Sequence, residues 1–156
     1  MNNILQTVKD AAIKLLAGYN PEADVYGEEI LRTDGALDIE EGRDGLTWYF
    51  VEVIPTAFLT AGPDMTEVSL TVSIDYHEPG ETFRGYGEQT LALDKLLRPV
   101  FRFVYAGERR AVTVERISSN ISGGMLHLTV PLTFLIANDR EEYPPMEELE
   151  TSIKRG

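Results

Sequence analysis

Residues 48–77 read WYFVEVIPTAFLTAGPDMTEVSLTVSIDYH, two long apolar runs separated by Ala61-Gly62-Pro63-Asp64. In the second run Val68, Leu70, Val72, Ile74 and Tyr76 alternate with Glu67, Ser69, Thr71, Ser73 and Asp75. A period of two places one set of side chains in a core and the other in water, so this run is a strand. The first run, Tyr49 to Leu59, is almost continuously β-branched and aromatic. That pattern predicts a strand covered, at least in part, on both faces. Gly62, Pro63 and Asp64 are turn formers, and the two strands are expected to fold back as an antiparallel hairpin.

Working outward toward the N-terminus, Ile4, Leu5, Val8, Ala11, Ala12, Leu15 and Leu16 recur at helical spacing. Asn2 or Asn3 is placed to cap this helix and Gly18 to end it. Core packing is the commoner reason for such a stripe, with a partner-binding face as the alternative. Asp24 to Ile30 follows as a short strand interrupted by Gly27. Residues 31–46, LRTDGALDIEEGRDGL, hold three glycines and five acids and are expected to form a long exposed loop. Their acids lack the ligand spacing of an EF-hand, so a solvated loop fits better than a calcium site. An arm that orders against a neighbouring subunit is a further reading.

Toward the C-terminus, Pro79, Gly80, Gly85 and Gly87 suggest a second flexible connection over residues 78–90. Gly85-Tyr86-Gly87 lacks both the lysine of a P-loop and the third glycine of a dinucleotide fingerprint. A second helix is expected from Thr90 to Arg98, stopped by Pro99. Phe101, Phe103 and Tyr105 then alternate in a strand that turns at Ala106-Gly107-Glu108 into another over Ala111 to Ile121. The last strand carries Leu126, Leu128, Val130, Leu132, Phe134 and Ile136 in alternation and is entered through Gly123-Gly124. Pro131, which has no amide hydrogen, points to an edge or a bulge within it. These elements add up to an α+β fold, a mainly antiparallel sheet of about five to six strands packed on two helices. A single domain is expected over residues 1–137, followed by an acidic tail, 138–156, with at most a short helix from Met146 to Ile153.

Composition bounds the chemistry. The 156-residue chain is long enough to bury roughly 70% of its unfolded surface in one domain. It has no cysteine, which excludes disulfides, thiolate metal sites and a cysteine nucleophile. Twenty-six acidic residues against 14 basic ones, a net charge of −12, disfavour a reader of duplex nucleic acid, whose affinity comes largely from cations that displace counterions. No leader pattern is visible, and no window approaches 18 uninterrupted apolar residues, so the chain is expected to stay where it is made and off membranes. His77 and His127 both fall on the polar phase of strands, where solvated or cross-strand roles outnumber catalytic ones. A metal pair or a general base is the alternative role for the two histidines together. No nucleophile elbow or H-E-x-x-H occurs, although a glycosidase-like carboxylate pair could hide among so many acids.

The order of elements, with Val72, Ile74 and Tyr76 in the strand after the turn and Gly124, Leu126, His127 and Val130 forming a G-x-L-H-x-x-V strand, resembles the small tail terminator proteins of long-tailed bacteriophages and phage-tail-like particles. The resemblance implies a structural, non-enzymatic virion protein without catalytic site, metal or cofactor. It implies a ring, typically a hexamer, on the end of the tail tube, made in the bacterial host cytoplasm. Such a ring stops tube polymerisation and offers a surface for joining the head. The implied partners are further copies of the chain, the tail tube protein and a head–tail connector or neck protein, with DNA passing through the lumen without specific binding. The 31–46 and 78–89 loops are then expected to make the contacts, with Asp38, Glu40, Glu41, Arg43, Arg84 and Tyr86 as interface candidates. Alternative readings are another neck or tail-completion adaptor of the same particle, or a small ligand-binding domain or enzyme using a histidine.

Overall fold

The computed structural model describes residues 3–27, 47–80 and 82–138. Within them the chain forms α1 (Ile4–Tyr19), β1 (Asp24–Tyr26), β2 (Trp48–Thr60), β3 (Met65–His77), α2 (Phe83–Leu97), β4 (Val100–Tyr105), β5 (Glu108–Thr113), β6 (Ser118–Ser122) and β7 (Met125–Ala137). The fold is α+β and its sheet mainly antiparallel. Five strands are ordered β1-β2-β3-β7-β6, and β4 and β5 form a separate two-stranded sheet. The β1–β2 pair alone runs parallel, Asp24–Tyr26 lying beside Trp48–Phe50. The expected strand over Asp24 to Ile30 stops at Tyr26, and its residues 28–30 lie outside the described residues, as do the 31–46 segment and the tail beyond Asn138.

The alternation in the sequence maps directly onto packing. Val68, Leu70, Val72, Ile74 and Tyr76 of β3 and Leu126 through Phe134 of β7 turn their buried positions to one face of the main sheet. The buried stripe of α1 (Ile4, Val8, Ala12, Leu16) and Tyr86, Leu93 and Leu97 of α2 join them in one core, which Phe101, Phe103 and Val112 extend from the small sheet. The Asn3 side chain accepts hydrogen bonds from the amides of Leu5 (2.9 Å) and Gln6 (3.4 Å), the N-cap geometry that supplies orphan helix donors. Gly18 does not end this helix, which continues to Tyr19 and is capped at Asn20, whose N–H donates to the Leu16 carbonyl.

Two further expectations are corrected. The α2 helix starts at Phe83, seven residues before the expected Thr90, so Gly85 and Gly87 are helical residues rather than loop hinges. Its start is fixed by Thr82, whose hydroxyl accepts from the Gly85 amide at 2.9 Å. Glycine is required at 85 by space: a Cβ there would run into the Glu78 carboxylate and the Thr82 hydroxyl. The strand expected over Ala111 to Ile121 is two strands, β5 and β6, in different sheets. Past the end of β5 the Val114 N–H still donates to the Pro99 carbonyl at 2.8 Å, one rung beyond the Val100–Thr113 pair, so this stretch stays with β4, and Val114 itself is buried. The partial two-faced coverage expected of β2 falls on Trp48–Val51; from Pro55 to Thr60 the strand is mostly exposed.

Pro131 lies where the sequence argument placed it. β6 pairs with β7 only over Met125–Thr129, so from Val130 onward β7 has no strand on its outer side among the described residues. A residue without an N–H costs no ladder bond there. The Arg110 guanidinium donates to the Leu135 carbonyl and lies 5.9 Å over the Phe134 ring, tying the small sheet to this open margin.

Two substitutions test these local assignments. Gly85→Ala should lower stability by about 1–3 kcal/mol in urea titration, because the Thr82 cap must shift to admit the methyl group. Ala106, at φ 53° in the two-residue β4–β5 turn with Gly107 at φ 79°, holds a conformation that favours glycine. Ala106→Gly should raise stability by up to about 1 kcal/mol, read as a higher denaturation midpoint at constant slope.

Candidate functional site

The residues that protrude from this core gather at the far end of the β2–β3 hairpin. Before Pro55, each β2 residue opposes one β3 residue; between Pro55 and Ala57 the register shifts, leaving Thr56 as a bulge. Bulges bend a strand and raise its twist. Beyond Phe50 no strand covers the outer side of β2 among the described residues, so ten residues from Val51 to Thr60 form an open edge. Along it Ile54, Phe58 and Leu59 are 43, 53 and 53% exposed, and Leu135 two strands away is 44% exposed. Leu59 and Leu135 flank Glu67 across three strands, so they share a face. Phe58 opposes Val68 and lies on the face that carries the core. The end therefore offers apolar side chains on both faces and unpaired backbone along one margin, features that mark a contact surface more than a reaction centre.

The second cluster lies on the sheet face opposite the helices. The His127 Nδ1 atom is 2.6 Å from Asp75 Oδ1, and its Nε2 is 3.1 Å from the Ser122 carbonyl oxygen. Both ring nitrogens thus meet acceptors. An imidazolium donates to both, and a neutral ring to one. A carboxylate on Nδ1 is the arrangement that orients a general base, but the nitrogen that would do the work is engaged by a backbone carbonyl. This histidine is a cross-strand lock between β3, β6 and β7. His77 is buried and stacks on Trp48 with ring centroids 5.4 Å apart, on the same face. Its position on the polar phase predicted a wetter environment; the end of β2, buried on both faces, explains the difference.

A third constellation fastens α2 to the sheet. Tyr49 and Tyr76 lie 5.0 Å apart and Tyr76 meets Tyr86 edge-on at 5.8 Å. Their hydroxyls donate to the Gln89 side-chain oxygen, to Glu78 and to the Gly124 carbonyl, at 2.9, 2.7 and 2.8 Å. Burial pushes the Tyr49 hydroxyl up to about 12. Burial, and then the adjacent Glu78 carboxylate, push Tyr76 up as well.

Of the interface candidates read from the sequence, Tyr86 belongs to this buried cluster and presents no surface to a partner. Arg84 stands on the exposed side of α2, paired with Glu88 at 3.4 Å. Asp38, Glu40, Glu41 and Arg43 lie outside the described residues. The structure thus separates Arg84 from Tyr86 and brings forward Ile54, Phe58, Leu59 and Leu135. The sequence signal for the exposed margin is Pro55, a residue that breaks a ladder and so belongs at an edge.

No family model matches the chain, and no curated protein matches it. One solved structure aligns over 87% of this chain and 94% of its own, with a TM-score of 0.46 and 13% identity. A likeness at that level carries no argument.

The tyrosine cluster makes stability depend on alkaline pH. A hydroxyl whose folded pKa is raised stabilises the fold fully below its unfolded value near 10, and that contribution is lost as pH rises through the folded value. Stability should therefore fall between about pH 10 and pH 12, by on the order of 1–2 kcal/mol for Tyr49. Urea titrations at several pH values, with 295 nm absorbance to follow phenolate formation, would show this, and Tyr49→Phe should flatten the decline.

Proposed function

We propose that this chain is a structural subunit that closes into a homo-oligomeric ring, of the kind that caps a phage-type tail tube and receives the head. The observation that supports it most is the apolar end of the β2–β3 hairpin: ten residues of strand edge that meet no other strand among the described residues, carrying Ile54, Phe58 and Leu59. An exposed flat edge invites pairing with another chain, and natural proteins blunt such edges unless they are used. Here the bulge at Thr56 and the absent amide of Pro55 interrupt continuous pairing. A contact at this end therefore draws on side-chain burial as well as backbone bonds.

A ring needs a heterologous contact, in which two different surfaces of one subunit meet and the rotation closes. The β2 margin is one candidate surface and the outer margin of β7, with Leu135 exposed, is another on the opposite side of the same sheet. The resemblance to tail terminators suggests the end of the tail tube as the site of this ring. Partners are then the tube protein on one side and a neck protein on the other, with DNA passing through an acidic lumen that repels it. The runner-up from the same class is a neighbouring neck or completion ring, which would use the same edges with different partners.

Light scattering across a concentration series, followed by negative-stain imaging, reads this directly. A closed ring with a hole wide enough for duplex DNA, or capping and shortening of tubes made from tube protein, is the expected result. Phe58→Asp with Leu59→Asp should abolish assembly while leaving the thermal midpoint within a few degrees, because both side chains are already half in water. A wild-type protein that stays monomeric at all concentrations and leaves tubes uncapped rejects the ring.

A further inference from the structure

A groove of about 750 Å³ runs between α1 and β4. Its apolar walls are Ala11, Leu15, Leu96, Phe103 and Val104, the last of these 59% exposed. Lys14 and Arg102 stand on its rims, together with Asp10, whose carboxylate accepts from the Gln6 amide at 2.8 Å. Arg109 opposes Val104 in the β4–β5 ladder, and so adds a third cation on the outward side of the small sheet. An apolar trough bordered by cations suits a short amphipathic segment with acidic flanks.

The chain contains such a segment. Residues 139–150 hold six acids against one arginine, and Met146, Leu149 and Ile153 recur at helical spacing i, i+3 and i+7. Reach also agrees. Phe103, which lines the groove, packs on Phe134 with ring centroids 5.3 Å apart. From Phe134 to Asn138 is four residues of strand, about 13 Å. The eight residues 139–146 can span up to about 27 Å when extended.

We propose that the α1–β4 groove receives the Met146–Ile153 segment of the same chain. Met146, Leu149 and Ile153 cover Leu15, Phe103 and Val104, and the segment's acids lie toward Lys14, Arg102 and Arg109. An isolated helix of eight residues is marginal in water, so the groove supplies the apolar contact that such a helix lacks. Docking would also remove Val104 from solvent and bring acids beside Lys14, Arg102 and Arg109. It holds for a monomer as for a ring.

Because the chain has no cysteine, a single introduced pair reports on proximity without background. The full-length Val104→Cys/Leu149→Cys protein is oxidised and compared with Thr60→Cys/Leu149→Cys. Thr60 is exposed on the hairpin, next to the point where Asn138 bonds to Asp64, and so lies nearer the root of the tail. The 104–149 pair should close within one chain at least about tenfold faster than the control, since docking raises the local concentration of the thiols. Adding Lys14→Glu and Arg102→Glu, or raising salt to ~0.5 M, should slow closure toward the control rate. Equal rates for the two pairs overturn the proposal. So does a disulfide that forms between chains, which would assign the groove to a second copy. Circular dichroism of each variant before oxidation ensures that only folded protein is compared.

Discussion

Length sets the terms of this fold. The β2, β3 and β7 strands each run 13 residues, about 43 Å at the usual rise per residue. The two helices, of 16 and 15 residues, span only about 24 Å and 22 Å. Helices of that size cannot cover a ribbon so long, and the apolar face has to be closed by something else. Part of the closure comes from β4 and β5, whose Phe101, Phe103 and Val112 fill the space beside Phe134. What is left over is the distal hairpin, with Phe58 half exposed on the very face that buries Val68 completely. The projecting end is thus a consequence of strand length, not an irregularity of one loop.

The proximal end is held in the opposite way, by polar atoms inside an aromatic cluster. Tyr49, Tyr76 and Tyr86 come from β2, β3 and α2, and each hydroxyl has a defined acceptor. A buried hydroxyl without a partner costs about 1–3 kcal/mol, so these three bonds restrict how α2 can sit on the sheet. Tyr86 bonds to the Gly124 carbonyl in the β6–β7 turn, which couples the helix start to the entrance of the last strand. Across the sheet, His127 links Asp75 to the Ser122 carbonyl on the other face of the same strands. Among the described residues, one end of the main sheet is therefore locked on both faces while the other is open on both.

Periodicity carried most of the fold because both long strands and α1 repeat a clean pattern over many residues. Val68 to Tyr76 and Leu126 to Phe134 needed no tertiary information to be read. The failures share one cause: local residue preference was outvoted by a contact distant in sequence or invisible in it. Gly85 and Gly87 look like hinges until the space around Gly85 shows why no side chain fits there. Ala111 to Ile121 keeps a strand-like pattern throughout, and alternation cannot tell which neighbour a strand chooses. The Pro99 carbonyl holds Val114 to the small sheet, one rung past the Val100–Thr113 pair. The candidate site was less legible still. Apolar residues at Phe58 and Leu59 read as core, and only Pro55 hinted that the strand there has no neighbour.

Charge adds a second asymmetry to the structural one. In a chain of net −12, Arg98, Arg102, Arg109, Arg110 and Arg116 fall within 19 residues that contain only two acids, Glu108 and Glu115. Arg102, Arg109 and Arg110 lie on the two strands of the small sheet, and Arg98 beside it is paired with Asp94. Arg110 is spent internally, on the Leu135 carbonyl and the Phe134 ring. Arg102 and Arg109 alternate outward from it, on the face that also exposes Val104. Exposed cations beside an apolar residue are weak as isolated ion pairs, because water and salt screen them. They gain worth when an acidic segment covers the apolar surface at the same time and excludes that water. An acidic protein that keeps such a patch has the counterpart for it within its own sequence, and this is why electrostatics and packing point to the same groove.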